Sequence, residues 1–155
     1  MDSSINLYVL DNGEPVEAPK RDLQVASGYD RWADKGEVLD GRRVTILTEK
    51  TVYAVNEEVR VIHVLEIVEP GHPIYVMGPK AVFDEYVNGE FHGEPPSERD
   101  DDVFMPAAYD GRVQESPGLD FNFEITSFRF SEPGTHRIRW QPGRWKSNVL
   151  EFEVS

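Results

Sequence analysis

The sequence predicts an all-β domain in which antiparallel sheets pack face to face as a sandwich. Glycine and proline number 12 and 11, and most of them fall between short apolar runs, where they mark turns. These runs are rich in β-branched and aromatic residues, which favour strands. Over the last third of the chain apolar and charged residues alternate, which is typical of strands with one buried and one solvated face.

The N-terminal part of the chain has a weaker pattern. Residues 1–42 begin with an alternating run, which predicts one strand, and continue as a polar, turn-rich stretch. Tyr29 and Trp32 are among its few large side chains, so we expect an irregular N-terminal extension that lies on the sandwich, with one helical turn near Asp30–Lys35. Residues 43–155 form the sandwich, and the whole chain is one domain.

The middle of the chain predicts a central strand and a hairpin. Residues Val59–Val68 are apolar on both predicted faces, because Ile62 and Val64 interrupt the polar side. A strand of this kind lies inside a sheet and is covered by another element on its second side. Asn88–Gly89 separates two runs that carry apolar residues, and this dipeptide favours the type I′ turn of a β-hairpin.

The end of the chain predicts a long loop and three strands. The loop covers residues 93–118, with a short edge strand around Val103–Met105. The strands span Leu119–Phe130, Thr135–Gln141 and Asn148–Val154.

The first of these three strands carries most of the phenylalanines. Phe121, Phe123 and Ile125 are expected to share one face, because side chains alternate along a strand. A slip at Thr126–Ser127 would let Phe128 and Phe130 join this face, which indicates either a bulge or a strand that switches sheets.

Two stretches carry a resemblance to a known group of domains. Residues 48–59 read TEKTVYAVNEEV, and residues 133–138 and 147–154 read PGTHRI and SNVLEFEV. They resemble the first conserved strand pair and the closing hairpin of bacterial macroglobulin-type and intracellular-proteinase-inhibitor-type modules. Asn56 replaces the usual glycine there, and asparagine is a good substitute at positive φ. The resemblance implies an immunoglobulin-like antiparallel β-sandwich, a scaffold that serves inhibition, adhesion, sugar binding or spacing and carries no catalytic residues.

Charge and composition exclude several function classes. The formal net charge is −13, which repels nucleic-acid backbones and anionic membranes and favours encounter with a basic protein. The chain has no cysteine, so disulfides and cysteine-ligated zinc are excluded. We expect no nucleic-acid partner, no membrane insertion and no cofactor. The first residues lack the features of a signal peptide, so the expected compartment is the cytoplasm, or the periplasm or cell surface if an export signal precedes Met1.

No set of residues predicts catalysis or metal binding. The histidines form no metal-ligand motif; they are His63, His72, His92 and His136. Glu98–Asp102 lacks the alternating carboxylates and central glycine of a calcium loop, and predicts a solvated loop. No serine has a nucleophile-elbow context. We therefore expect a non-enzymatic protein with no catalytic residue and no metal site.

One basic, indole-bearing segment stands out in this acidic chain. Its candidate binding residues are Arg137, Arg139, Trp140, Arg144 and Trp145. Arginine beside tryptophan is typical of an interface hot spot, and also of an aromatic platform for sugars. The structural alternative is that the arginines pair with the protein's own acids and Trp145 folds back onto the core.

These observations favour a non-enzymatic, immunoglobulin-like protein-binding module, such as an inhibitor or immunity-type protein for a basic partner. The alternative is a carbohydrate-binding or structural β-module of a cell-surface or periplasmic assembly. That alternative rests on Trp145, Tyr75 and Tyr109.

Overall fold

A computed structural model describes residues 7–71, 73–76, 80, 82, 84–92, 112–115 and 118–155. The chain begins with the strands β1 (Tyr8–Asp11) and β2 (Glu14–Glu17), the helix α1 (Lys20–Ser27) and a 3-10 turn (Tyr29–Arg31). The later strands are β3 (Arg42–Leu47), β4 (Val52–Tyr53), β5 (Glu58–Ile67), β6 (Pro73–Val76), β7 (Glu85–Val87), β8 (Glu90–His92), β9 (Arg112–Glu115), β10 (Gly118–Asp120), β11 (Thr126–Arg129), β12 (Gly134–Trp140) and β13 (Val149–Val154).

Most of these strands belong to two sheets. In sheet I, β3 pairs with one side of β5, while β10 and β11 pair in succession with its other side. Sheet II has the order β4–β13–β12–β7–β8. The pairing of β4 with β13 is parallel, and the other strand pairs of the two sheets are antiparallel. The prediction of an all-β chain with antiparallel sheets is therefore confirmed.

The facing sides of sheets I and II share one hydrophobic core. Sheet I contributes Val44, Ile46, Val59, Val61, Leu65 and Ile67, and sheet II contributes Tyr53, Val87, Ile138, Trp140, Leu150, Phe152 and Val154. The predicted alternation along β12 and β13 is confirmed, because the buried residues Ile138 and Trp140, and then Leu150, Phe152 and Val154, alternate with more exposed neighbours.

The other face of β5 lies under the N-terminal extension. Ile62 and Val64 pack there with Leu7, Ala26 and Tyr29 in a second hydrophobic cluster. The prediction that β5 is central and covered on its second side is therefore confirmed.

Polar contacts fasten the extension to the same strand. The Asp22 carboxylate is almost fully buried, and Arg60 donates to it from Nε and Nη2 at 3.0 and 2.8 Å. The Tyr29 hydroxyl donates to Glu66 Oε1 at 2.6 Å. A buried carboxylate requires such a charged partner, so the Arg60–Asp22 pair fixes where α1 lies on sheet I.

The extension is more regular than its sequence predicts. It contains the β1–β2 hairpin, the helix α1 and the 3-10 turn, whereas a single helical turn near Asp30–Lys35 was expected. Pro19 precedes the helix, and its carbonyl accepts hydrogen bonds from Asp22 N and Leu23 N at 3.0 and 3.1 Å. Pro19 thus directly precedes the first helical residue, and proline is common at this end of a helix.

The prediction of one strand from Leu119 to Phe130 is wrong. The chain leaves sheet I between β10 and β11, where Lys80 forms a bridge with Phe123. Lys80 N donates to Asn122 O at 3.0 Å, and Glu124 N donates to Lys80 O at 2.9 Å. Consequently Phe121 packs under the extension and Phe123 lies between the sheets, so they do not share a face.

The predicted loop at 93–118 contains β9, which pairs with β6. The proposed edge strand Val103–Met105 and the acidic run Glu98–Asp102 lie outside the described residues. The predicted hairpin is confirmed: β7 pairs with β8, and Asn88 and Gly89 have φ of 52° and 86°.

Candidate binding face of sheet II

The strand β12 contributes to the outer face of sheet II those of its residues that do not enter the core. Ile138 and Trp140 point inward and are fully buried, while Arg137 and Arg139 are exposed. The alternation of side chains along a strand therefore places both arginines on the side of sheet II that faces away from sheet I.

A row of side chains crosses this outer face from strand to strand. The register pairs Phe91 with Tyr86, Tyr86 with Arg139, and Arg139 with Val149. The Tyr86 and Phe91 rings meet edge to face, with centroids 5.7 Å apart, and Phe91 is 46% exposed. We call these four residues the aromatic–arginine row.

The two arginines of β12 differ in their partners. Arg137 forms an ion pair with Glu151, with Nη2 and Nε at 2.7 and 2.8 Å from Oε2. Arg139 donates from Nη1 to Gln141 Oε1 at 2.8 Å. Among the described residues no acid pairs with Arg139, and its Nε and Nη2 make no hydrogen bond. Within the described part of the chain, the charge of Arg137 is therefore compensated and that of Arg139 is not.

A shallow concavity of about 430 Å³ lies beside the row. Tyr86, Arg139 and Val149 line it together with Asn88, Gly89 and Arg137. The Asn88–Gly89 turn forms one wall, and it is held to β12 because Arg137 N donates to Asn88 Oδ1 at 2.8 Å. The concavity has the size of a small ligand or of a few side chains from a partner.

The five residues singled out in the sequence do not form one patch. Trp140 is buried between the sheets, where its ring meets His63 and Phe123 edge to face at 4.9 and 5.1 Å. The strand alternation that exposes Arg137 and Arg139 also requires this burial. Trp140 therefore belongs to the core and offers no surface to a partner.

Trp145 is also buried, with 2% of its surface exposed. Its indole Nε1 donates to Leu39 O at 2.9 Å, and the guanidinium groups of Arg42 and Arg144 lie over its ring at 5.7 and 5.2 Å. Arg144 in turn pairs with Asp40 at 2.6 Å. Trp145 and Arg144 thus pin the segment before β3 to the β12–β13 turn.

A buried histidine–carboxylate hydrogen bond and a buried lysine–aspartate ion pair, neither of which the sequence predicted, lie inside the sandwich. His63 Nε2 is 2.6 Å from Glu85 Oε2, and Lys80 Nζ is 2.8 Å from Asp120 Oδ2. All four side chains are at most 2% exposed. Burial raises the pKa of Asp120, although Lys80 and the Asn122 backbone N–H oppose this shift.

Some polar atoms beside these pairs find no hydrogen-bond partner among the described residues. They are His63 Nδ1, Glu85 Oε1 and both amide atoms of Asn122. The only sequence signal for this cluster was a histidine on the apolar face of Val59–Val68. Lys80 and Asp120 gave no signal, because they stand at strand ends and pair across 40 residues.

The described residues contain no group of three side chains suited to hold a metal ion. His63 and Glu66 lie on opposite faces of β5, since Glu66 bonds to Tyr29 and Arg43 on the extension side. No helix in the described part of the chain is long and apolar enough to cross a membrane.

Comparison of the chain with protein-family models, with curated proteins and with solved structures gives no match.

Proposed function

We propose that this chain is a non-enzymatic, immunoglobulin-like module that binds a protein partner through the outer face of sheet II. The observation that carries the proposal is the aromatic–arginine row, which crosses four neighbouring strands and is covered by no described element. A side chain row of this composition suits binding, because tyrosine and arginine are enriched among the residues that dominate interface energies.

The strand order supports the immunoglobulin-like part of the proposal. In that fold two antiparallel sheets pack face to face, one with strands A, B and E and the other with strands G, F, C and C′. Here β3, β5 and β10–β11 follow the first order, and β13, β12, β7 and β8 follow the second. The two stretches that resemble macroglobulin-type and inhibitor-type modules fall on β4–β5 and β12–β13.

Two details of those stretches agree with the resemblance. Asn56 has a φ of 64°, which is the conformation that glycine adopts in the pattern. Tyr53 is 3% exposed and packs edge to face on Phe152 with ring centroids 5.5 Å apart. A buried tyrosine at this position is what the resemblance implies.

The surroundings of the row favour a protein as the ligand. The Arg137–Glu151 pair and Asn88 give it a polar rim, and a central contact group with a polar rim is typical of protein interfaces. The net charge of −13 accelerates encounter with a basic protein. An inhibitor or immunity-type role toward such a partner fits these features best.

The alternative of a carbohydrate-binding module loses its main residue. Trp145 is buried and offers no ring face on which a sugar could stack. The Tyr75 side chain and Tyr109 lie outside the described residues.

The proposal is tested by photo-crosslinking in the native host. The photoreactive residue p-benzoylphenylalanine replaces Tyr86 in one variant and Leu10 in a matched control, because Leu10 is 56% exposed on the distant β1–β2 hairpin. We expect one protein to be captured from position 86 and not from position 10. Capture from neither position, or equally from both, contradicts the proposal.

The captured partner, once purified, gives a quantitative check. We expect Tyr86→Ala to weaken binding by about 2 kcal/mol or more, as a central aromatic contact does. Leu10→Ala is the control and is expected to leave the affinity unchanged.

A further inference from the structure

From the two arginines of β12 we infer that Arg139 is a receptor for a carboxylate side chain of the partner protein, presented next to an apolar or aromatic residue. This inference rests on the proposed function and names the chemistry of the contact. It starts from the free donors of Arg139.

The hydrogen bond to Gln141 orients the Arg139 guanidinium and leaves one edge open. Nη1 is occupied by Gln141 Oε1, while Nε and Nη2 bond to none of the described residues. These two donors point the same way from the planar group, and a carboxylate accepts from such a pair through both oxygens. The free edge therefore matches an aspartate or glutamate side chain.

The neighbours of Arg139 indicate which kind of partner residue lies next to the carboxylate. Tyr86 and Val149 flank it directly in the register of sheet II, and both line the 430 Å³ concavity. They offer apolar surface on either side of the charge. A partner segment with an acidic residue beside a large apolar one satisfies both surfaces at once.

Arg139 differs from several other basic residues on the surface, which have an acidic partner among the described residues. Arg21, Arg43 and Lys50 pair with Glu58, Glu66 and Glu57, and Arg137 pairs with Glu151. The charges of these four side chains are compensated by the protein's own acids. Arg139 keeps its charge available beside an open concavity, so an acidic contact residue is the complementary group.

The inference is tested with two capped dipeptides, acetyl-Phe-Glu-amide and acetyl-Phe-Gln-amide, titrated into the isotope-labelled full chain. The readout is the NMR shift of the Arg139 Nε–H signal and of the Tyr86 and Val149 amides. We expect both peptides to shift these signals, with the glutamate peptide binding about tenfold more tightly, as a charged hydrogen bond provides.

Two variants provide the matched comparison. Arg139→Gln is expected to abolish the preference for glutamate. Arg21→Gln combined with Glu58→Gln removes an ion pair between α1 and β5 without changing the net charge, and it is expected to keep the preference within about twofold because these residues do not line the concavity. Loss of the preference in the second variant, or its retention in Arg139→Gln, overturns the inference.

Acetate in place of the peptide separates the two sources of a carboxylate. If acetate alone binds as tightly as the glutamate peptide, the site recognises a small free carboxylate, and the inference that it binds a protein segment is wrong. The proposed function fails independently, when position 86 captures no partner. If a partner is captured and Arg139→Gln leaves its affinity unchanged, the proposed function stands and the carboxylate receptor is rejected.

Discussion

Sheet I and sheet II share one core but differ in what covers their outer faces. The outer face of sheet I is buried beneath the β1–β2 hairpin, α1 and the 3-10 turn. The outer face of sheet II carries the aromatic–arginine row and is open in the described part of the chain. The N-terminal extension thus acts as a third layer of the structure, whereas no described element covers the outer face of sheet II, which is the face that we propose for binding.

The contrast is also one of chemistry. Under the extension, apolar side chains such as Ile62 and Val64 are at most 1% exposed, which is where burial stabilises most. On sheet II the outward residues are partly exposed and include Arg139, which has no acidic partner among the residues that the structure describes. Substitutions should therefore affect stability on sheet I and binding on sheet II.

The largest difference in stability is expected between substitutions of two phenylalanines, one under the extension on sheet I and one on the outer face of sheet II. Phe121→Ala opens a cavity under the extension, and we expect a loss of about 3–5 kcal/mol in the free energy of unfolding. Phe91→Ala removes a ring that is 46% exposed, and its loss should stay below about 1 kcal/mol. Urea denaturation of both variants measures the difference. Equal losses would mean that the two faces are covered alike.

A similar loss is expected from the buried charges in the shared core. Lys80→Met leaves the Asp120 carboxylate buried without its partner, which costs about 3–5 kcal/mol. Lys80→Met combined with Asp120→Leu removes both charges and should recover most of that loss. Thermal unfolding of the two variants at one pH gives the comparison. A double variant as unstable as the single one would show that the ion pair itself is required.

These predictions also show how far the sequence alone could lead. The two-residue period along Val59–Val68 and in β12 and β13 indicated the core faces, and the apolar second face of β5 indicated a cover. The helix α1 was missed, because its residues Lys20–Ser27 are largely polar and it is fastened by Arg60, which lies 38 residues beyond Asp22. No local pattern encodes such a contact.

The candidate site was predicted in part, for a related reason. Alternation along β12 places Arg137 and Arg139 outside and Trp140 inside, so the burial of Trp140 was already implied by the pattern. Trp145 lies in a turn, where no period applies. Tyr86 and Phe91 joined the site only through pairing between strands, which the sequence does not specify.

A smaller loss of stability is expected when Asn148 is replaced. Its side chain lies where β3, an edge strand of sheet I, meets sheet II. The Asn148 side chain accepts from Ile46 N at 2.8 Å and donates to Ile46 O at 3.0 Å, so it occupies the edge in place of another strand. Asn148→Ala leaves both backbone groups without this partner, and we expect a loss of about 2 kcal/mol. Asn148→Asp is the control: it restores the acceptor but not the donor. Hydrogen exchange at the Ile46 amide should accelerate strongly in the alanine variant; an unchanged rate would contradict this role.

The buried Tyr29 phenol of the extension predicts that the free energy of unfolding falls with pH in the alkaline range. Burial, with a smaller contribution from Glu66, raises the pKa of the Tyr29 phenol in the folded state. The phenol binds its proton more tightly in the folded than in the unfolded state, so its contribution is complete below about pH 10 and is lost as pH rises above that value. Tyr29→Phe should be less stable at neutral pH, because the bond to Glu66 is gone, but should lose less stability between pH 9 and pH 11. Parallel pH dependences of the two proteins would contradict this assignment.

The smallest effect on stability is expected from the ion pair on the open face. Arg137 and Glu151 are 60% and 56% exposed, so replacing both by glutamine should change the free energy of unfolding by no more than about 0.5 kcal/mol. Added salt should alter the stability of this variant and of the parent protein equally. A loss of several kcal/mol would show that the outer face of sheet II is not solvated.

The contrast between the covered and the open sheet is tested most directly by cysteine labelling, since the chain has no cysteine of its own. Single cysteines replace Val64, on the covered face of sheet I, and Val149, on the open face of sheet II. Under native conditions we expect a maleimide reagent to modify position 149 at least about a hundredfold faster than position 64, because the latter requires local opening. Similar rates at the two positions would contradict the account.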